Sequence, residues 1–193
     1  DCIFGRISVI WDQPKPWWYD DRYKGFFAVI DYGDQAFKVE SKNTPFFGKN
    51  FCIKKQFLID MGGFDPDLGR KGDDLIGGEE IMVFNRLIEE QKTVYYFPDL
   101  DVGHRLKPRE YTEDNIRKQY MACAKPIVQI AKTQPGKELA GRKLGVLEIH
   151  LKEILNAASS LIVNTLTGNS KDSFYQSLRF MRALKVISLW IKN

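Results

Sequence analysis

The C-terminal third of the chain carries the clearest helical periodicity. Between Leu144 and Leu166, apolar residues recur every three or four positions, which predicts one long amphipathic helix. Its apolar stripe consists of Leu147, Leu151, Ile154, Leu155, Ala158, Leu161 and Ile162. Residues 168–170 read Gly-Asn-Ser and end this helix, and a last helix is predicted from about Asp172 to Lys192.

The last helix is apolar around most of its circumference, and its basic residues are confined to one sector, at Arg179, Arg182 and Lys185. The apolar surface of such a helix must be covered by another surface, which excludes water from it. The cover can be the rest of the protein, a second subunit or the headgroup region of an acidic membrane, where each nearby basic residue contributes about 1 kcal/mol. Plain packing and peripheral membrane contact through residues 172–193 therefore stay open as alternatives.

A shorter helix is predicted upstream, from Glu113 to Lys125, with Thr112 as its N-cap. Its apolar face consists of Ile116, Tyr120 and Cys123. Pro126 predicts a kink or break after it. Residues 133–142 combine proline with glycine, which predicts a linker.

A carboxylate pair stands at the start of another predicted helix. Two glycines precede Glu79 and Glu80, and the apolar positions that follow have the spacing of one buried helix face, at Ile81, Phe84, Leu87 and Ile88. A helix start stabilises a carboxylate by about 0.3 to 1 kcal/mol. Adjacent carboxylates repel each other, so one is more easily protonated, which suits a general base. A helix-capping pair without chemistry is the alternative.

His104 follows an apolar strand predicted at residues 93–97 and a Pro98-Asp99 turn. The end of a strand is a usual place for a ligand residue, and a neutral imidazole nitrogen can bind a divalent metal near pH 7. One ligand does not define a metal site. A hydrogen-bonded structural histidine is therefore the alternative.

Composition narrows the class of protein. With 193 residues, 44% of them hydrophobic, the chain can bury the core of one domain plus an appendage. No apolar run reaches the roughly 18 to 20 residues that cross a bilayer. The three cysteines lack metal-ligand spacing, which indicates reduced thiols and an intracellular protein.

The charge of the chain is concentrated near its C-terminus. From Lys137 onward there are nine Lys or Arg and four Asp or Glu, so this segment carries +5 and the remainder −1 of the net +4. No aromatic residues interleave with the basic stripe, which speaks against a nucleic-acid partner.

Four motifs in a fixed order carry a resemblance to a known family. They are Gly-x-Asn at 48–50, Gly-Gly-Phe-Asp at 62–65, Gly-Gly-Glu-Glu at 77–80 and Pro-x-x-x-Val-x-His at 98–104. In this combination the chain resembles the second, acceptor-side half of a family 2 glycosyltransferase with the GT-A fold, over about residues 3–125. The resemblance implies an α/β fold, with residues 1–132 as the acceptor-side half of the GT-A domain and residues 133–193 as a helical C-terminal extension.

The resemblance also implies roles for individual residues. Glu80 matches the general base that deprotonates an acceptor hydroxyl, and Glu79 matches the acid that orients the acceptor. His104 matches a ligand of the Mn²⁺ or Mg²⁺ ion that binds the sugar-nucleotide diphosphate. Substrate-binding roles are implied for Trp17, Trp18, Gly48, Asn50, Arg70, Lys71 and Gly78, with Arg70 and Lys71 in a loop at residues 68–75 that covers the diphosphate or is simply a solvated turn.

The chain departs from the family pattern in two ways. The base is Glu80 where the family usually has Asp. The nucleotide-binding half of the family, with the Asp-x-Asp pair that carries the metal, is expected upstream of Asp1, so we expect this chain to be a fragment. The absence of Gln-x-x-Arg-Trp after His104 argues against a processive polysaccharide synthase. A glycoside hydrolase is disfavoured because adjacent glutamates at one helix start do not face each other across a bond.

The expected function is therefore inverting transfer of a sugar from a nucleotide-sugar donor to a glycan or lipid-linked acceptor, in the cytoplasm at the inner face of the membrane. The alternative is a non-catalytic module that binds carbohydrate through Trp17 and Trp18 or docks on a membrane.

Overall fold

The computed structural model describes residues 1–65, 78–133, 138–139 and 142–192. The chain forms two compact units, one of residues 1–15 and 20–108 and the other of residues 16–19 and 109–193. These units reflect packing, and the domain boundary that the family resemblance implies between residues 132 and 133 stays a prediction.

The first unit is built on a four-stranded mixed sheet. The strands are β1 (Cys2–Ile10), β2 (Phe37–Lys38), β3 (Phe51–Ile53) and β4 (Val94–Arg105), in the order β2-β4-β1-β3. The central pair, β1 and β4, is parallel, and both edge strands run antiparallel to their neighbours. The described part of this unit also contains two α-helices, α1 (Lys55–Asp60) and α2 (Glu79–Glu89), and a 3₁₀ helix (Asp21–Phe27). The predicted α/β class is confirmed.

Aromatic side chains fill the core of this unit. Phe46 stacks on Phe51 with ring centroids 4.3 Å apart and meets Phe84 of α2 edge-on at 5.4 Å. Helix α2 buries Val83, Phe84 and Leu87 almost completely, whereas the predicted Ile81 and Ile88 are only partly buried. The core-facing side of α2 is therefore rotated slightly from the predicted one.

Strand β4 contains an irregularity at the position where the sequence pattern predicts the end of a strand. Gly5 of β1 pairs with Phe97, and Ile7 pairs with Val102, so β4 advances five positions while β1 advances two. The prediction that the strand stops at Phe97 is wrong: Pro98, which has no N–H to donate, lies in a bulge, and the strand continues beyond it. His104 lies inside β4, opposite Val9 of β1.

The second unit is helical. It contains α3 (Glu113–Ala122), α4 (Ala124–Thr133), α5 (Leu144–Leu166) and α6 (Ser170–Lys192), with a short hairpin of β5 (Glu138–Leu139) and β6 (Arg142–Lys143) between α4 and α5. Thr112 caps α3 through a 3.2 Å bond from the Asn115 N–H, as predicted. Helix α3 ends at Ala122, and α4 begins two residues later, at Ala124. The helix is therefore interrupted at Cys123, three residues before Pro126, which lies in the first turn of α4. The predicted linker at 133–142 lies partly outside the described residues.

Helix α6 is the centre of this unit, because α3, α4 and α5 all pack against it. Its buried residues are Phe174, Leu178, Ala183, Val186 and Trp190. The cover that the sequence requires is thus supplied at least in part by neighbouring helices. In the part of the chain that the structure describes, neither this helix nor any other has the length and hydropathy of a membrane span.

Helix α5 has the predicted bounds but a different buried face. His150 and Ala157 are buried, at 7% and 0% exposure. Leu151, Leu155 and Ile162 of the predicted stripe are 47%, 69% and 62% exposed. These three residues of the apolar stripe are therefore exposed, and the physical reason lies in an ionic cluster that α5 forms with α6.

Candidate active site

The two glutamates begin α2, as the sequence predicts. Gly78 precedes them with φ at 120°, a conformation that a side chain would oppose, and its carbonyl accepts the Met82 N–H at 2.9 Å. Gly78 has no side chain to cap the helix, and the positive end of the helix dipole acts on Glu79 and Glu80. The backbone conformation of Gly78 suits glycine at this turn, and its implied substrate-binding role stays a prediction.

Gly48 lies beside the carboxyl group of Glu80. A Cβ atom placed on Gly48 would sit 3.9 Å from Glu80 Cδ, which is ordinary van der Waals contact. The absence of a side chain at Gly48 therefore leaves space at the face of this carboxyl group. The structure brings together these two predicted site residues, which are far apart in sequence.

Glu79, the first carboxylate of the pair, lies at a cavity in the first unit. It lines a cavity of about 450 Å³ together with the Gly62-Gly63 turn, Met82 and Arg86. Its Oε2 atom is buried and has no hydrogen-bond partner among the described residues. An unpaired buried carboxylate oxygen is costly, and it can accept a hydrogen bond from a bound hydroxyl.

Asn50 has a structural role that its motif does not reveal. Its Nδ2 atom donates to the carbonyl oxygens of Arg6 at 2.8 Å and Leu100 at 2.6 Å. Leu100 lies in the bulge of β4, so Asn50 ties the segment before β3 to the centre of the sheet. The side-chain amide is engaged with the backbone, and the implied acceptor-binding role of Asn50 stays a prediction.

His104 is half-buried, and its ring orientation is fixed by one hydrogen bond. Nδ1 lies 2.9 Å from the carbonyl oxygen of Phe27, at the end of the 3₁₀ helix. A carbonyl only accepts, so in the neutral ring we assign the proton to Nδ1, which leaves the lone pair on Nε2. Metal-binding histidines are commonly oriented in this way. Within the described residues, no group of three His, Cys, Asp or Glu side chains forms a metal site with it.

The tryptophan pair divides into one buried and one exposed ring, both in the second unit. Trp18 is 1% exposed and packs on Phe174 with centroids 5.9 Å apart, so its ring offers no surface to a substrate in this structure. Trp17 is 50% exposed and donates its indole N–H to Glu113 at 3.1 Å. The sequence pattern does not single out Glu113, because an acidic residue in the first turn of a helix is common.

The remaining predicted substrate-binding residues, Arg70 and Lys71, lie outside the described residues, as does the loop at 68–75 that contains them. The site that can be described in the first unit is therefore a carboxylate pair at a helix start, a glycine beside one carboxylate, and an oriented histidine on the central strand β4.

Comparison with known proteins supports a relationship to glycosyltransferases. No family model matches the chain, and no solved structure matches it. Over 106 residues the chain is 27% identical to the glucosyl-dolichyl phosphate glucuronosyltransferase of Haloferax volcanii. The match covers 54% of this chain and 33% of that enzyme, so the chain spans about a third of the length of the curated relative that it matches. The similarity points to glycosyltransferases as relatives of this chain.

Proposed function

We propose that this chain is the acceptor-side part of an inverting glycosyltransferase of family 2, with the GT-A fold, which transfers a sugar from a nucleotide sugar to a hydroxyl group of a lipid-linked acceptor. The observation that carries the proposal is the similarity to the Haloferax volcanii transferase over 106 residues. The order of the four sequence motifs and the helix start at Glu79 and Glu80 support it. The acceptor class follows from the name of that relative, and a lipid-linked acceptor would place the reaction at a membrane surface.

Glu80 is the general base in this proposal. Its carboxylate removes the proton of the acceptor hydroxyl, the oxygen forms a bond to the anomeric carbon, and the bond from that carbon to the diphosphate breaks with inversion. Gly48 supports the assignment because its missing side chain leaves room for an acceptor beside Glu80.

Glu79 orients the acceptor in this proposal. Its buried Oε2 atom, without a partner in the described part of the chain, can accept a hydrogen bond from a second hydroxyl group of the acceptor sugar. A hydrogen bond of this kind holds the reacting hydroxyl in place, and correct positioning lowers the barrier to transfer.

His104 fits one ligand position of a divalent cation. Its Nδ1 is held by the Phe27 carbonyl, so Nε2 is the nitrogen that can coordinate. Further ligands are not contributed by a cluster within the described residues. When bound, Mn²⁺ or Mg²⁺ would neutralise charge on the departing nucleoside diphosphate.

The test is release of nucleoside diphosphate by the product of the complete reading frame. A panel of nucleotide sugars is incubated with Mn²⁺ or Mg²⁺ and a short-chain polyprenyl phosphate glucoside as acceptor. We expect release from one donor that requires the acceptor and is stopped by EDTA. Binding of sugars without release from any donor, in a folded protein, would contradict the proposal and favour the non-catalytic binding module.

A further inference from the structure

The second unit contains a cavity that none of the proposed catalytic residues line. It has a volume of about 380 Å³, near the lower end for small-molecule sites. Its lining includes aromatic, charged and hydroxyl-bearing residues, among them Trp17, Glu113, Arg117, Asn164, Ser173 and Phe174.

Trp17 forms a fixed aromatic surface in this cavity. Its ring packs on Phe174 with centroids 5.5 Å apart, and its indole N–H donates to Glu113 Oε1 at 3.1 Å. These two contacts restrain the side chain, yet half of its surface stays exposed. An aromatic ring that is held in place before binding loses little conformational entropy when a ligand stacks on it.

Two side chains of opposite charge, Glu113 and Arg117, lie near this ring and form an ion pair. Glu113 Oε2 accepts from Arg117 Nη2 at 3.3 Å, and the Arg117 guanidinium lies 4.6 Å from the centre of the Phe174 ring. The two charges offset each other, so the cavity favours neither a strongly anionic nor a strongly cationic ligand. Both groups retain lone pairs or N–H groups that can bind hydroxyls.

One polar atom in the cavity lacks a partner. Ser173 Oγ is buried and makes no hydrogen bond to the residues that the structure describes. The neighbouring hydroxyl of Ser177 is already bonded to the Phe174 carbonyl at 2.6 Å. A buried hydroxyl without a partner is costly, so a ligand that offers it a hydrogen bond gains affinity there.

We propose that this cavity binds a pyranose ring of a saccharide. A pyranose has one face of C–H groups, which suits the negative face of an exposed indole ring, and a rim of hydroxyls, which suits paired charges and a free serine hydroxyl. The inference rests on the second unit alone and holds whether or not the chain is a transferase.

The experiment is saturation-transfer NMR observed on the sugar, with methyl β-glucopyranoside and methyl β-glucuronide as probes and UMP as the nucleotide control. We expect saturable binding of at least one glycoside at millimolar concentrations. Trp17→Ala should weaken it by about tenfold or more, and Ser173→Ala by about three- to tenfold, since one hydrogen bond contributes about 1 kcal/mol. Trp17→Phe should bind more tightly than Trp17→Ala because it keeps an aromatic ring.

The matched control is Ser159→Ala, on the exposed side of α5, whose hydroxyl bonds to the Asn156 carbonyl away from the cavity. This variant should bind sugar as the wild type does. Circular dichroism checks the fold of each variant, and Ser173→Ala and Trp17→Phe keep the test decisive if Trp17→Ala unfolds. No saturable glycoside binding, binding of UMP alone, or equal affinities of Ser173→Ala and Ser159→Ala would each overturn the proposal.

Discussion

Among the glycines that the structure describes, Gly5 leaves the least space for a side chain. A Cβ atom there would lie 1.9 Å from the Leu100 carbonyl oxygen and 2.5 Å from Leu100 Cβ. Both contacts are with the bulge of β4, which approaches the backbone of β1 at this point. A side chain at this position would force the two central strands apart.

We therefore expect Gly5→Ala to lower the free energy of unfolding by more than about 3 kcal/mol, because backbone atoms must move. Urea denaturation measures this loss. Gly25→Ala is the matched control, since no heavy atom lies within 4 Å of a Cβ there and its φ is not positive, and it should change stability by less than about 1 kcal/mol. Similar losses in the two variants would contradict the described bulge.

Asn50 gives a second test at the scale of single residues. Asn50→Ala removes the donors to the Arg6 and Leu100 carbonyls, which should cost about 1–3 kcal/mol of unfolding free energy. Asn43→Ala, at an exposed loop position, should cost less than about 0.5 kcal/mol. Chemical denaturation of both variants measures these losses. An unchanged denaturation midpoint for Asn50→Ala would contradict the role of Asn50 in bridging the Arg6 and Leu100 carbonyls.

At the scale of elements, an ionic cluster determines how α5 packs on α6. Glu153 Oε1 accepts from Arg182 at 2.6 Å and from Arg179 at 3.3 Å, while Oε2 lies 3.0 Å from His150 Nδ1. The Glu153 side chain is only 11% exposed. Burial raises the pKa of this carboxyl, but Arg182, His150 and Arg179 outweigh burial and hold the pKa below its ordinary value.

This shift predicts how stability depends on pH. A carboxyl whose pKa is lowered by folding stabilises the fold above its unfolded pKa and loses that contribution as pH falls through the folded value. Glu153→Gln should therefore lower the unfolding free energy by about 1–3 kcal/mol at neutral pH, and the difference from wild type should shrink as the pH falls through and below the ordinary range of a carboxyl pKa. Thermal or urea unfolding across this range measures the difference, and a gap that does not depend on pH would show that the charge of Glu153 has no role.

The elements also show how far sequence periodicity reaches. The bounds of α5, the cap at Thr112 and the helix start at Glu79 follow from local signals, so the sequence could predict them. The rotation of α5 could not be predicted, because its apolar residues occupy much of the circumference and the deciding partners of Glu153 lie on another helix. The bulge of β4 is likewise set by contact with β1 and by Asn50, and Pro98 alone suggested a turn.

The candidate site shows the same division between local and long-range information. Glu79, Glu80 and Gly78 stand together in the sequence, whereas the contact of Gly48 with Glu80 arises only on folding. The Trp17-Trp18 dipeptide indicates an aromatic surface, but the sequence does not show which ring is buried. Both rings pack on Phe174, yet Trp18 is buried and Trp17 is half exposed.

At the scale of the whole molecule, only part of the positive charge of the C-terminal segment is available to an acidic membrane. Arg179 and Arg182 are bonded to Glu153, so contact of residues 172–193 with a membrane would rest on exposed residues such as Lys185 and Lys192. That contact stays a prediction.

Sedimentation with vesicles of phosphatidylserine and phosphatidylcholine tests whether residues 172–193 contact a membrane. We expect binding that weakens with salt and that Lys185→Glu reduces about 5- to 30-fold, since each basic residue near an acidic surface contributes about 1 kcal/mol. Lys38→Glu changes the net charge equally on β2 of the first unit and should have a smaller effect. No binding of the wild type, or equal losses in both variants, would contradict a specific role for this segment.

The most direct test of the central claim compares Glu80→Gln with Glu79→Gln in the product of the complete reading frame, by the initial rate of nucleoside diphosphate release with donor, acceptor and divalent cation. Removing a general base costs about 10²- to 10⁴-fold in rate. We expect a loss of that size in kcat for Glu80→Gln, with the fold and the KM for the donor retained, and a smaller loss for Glu79→Gln. A folded Glu80→Gln protein with near-wild-type turnover would contradict the account and reduce Glu80 to a residue that stabilises a helix start.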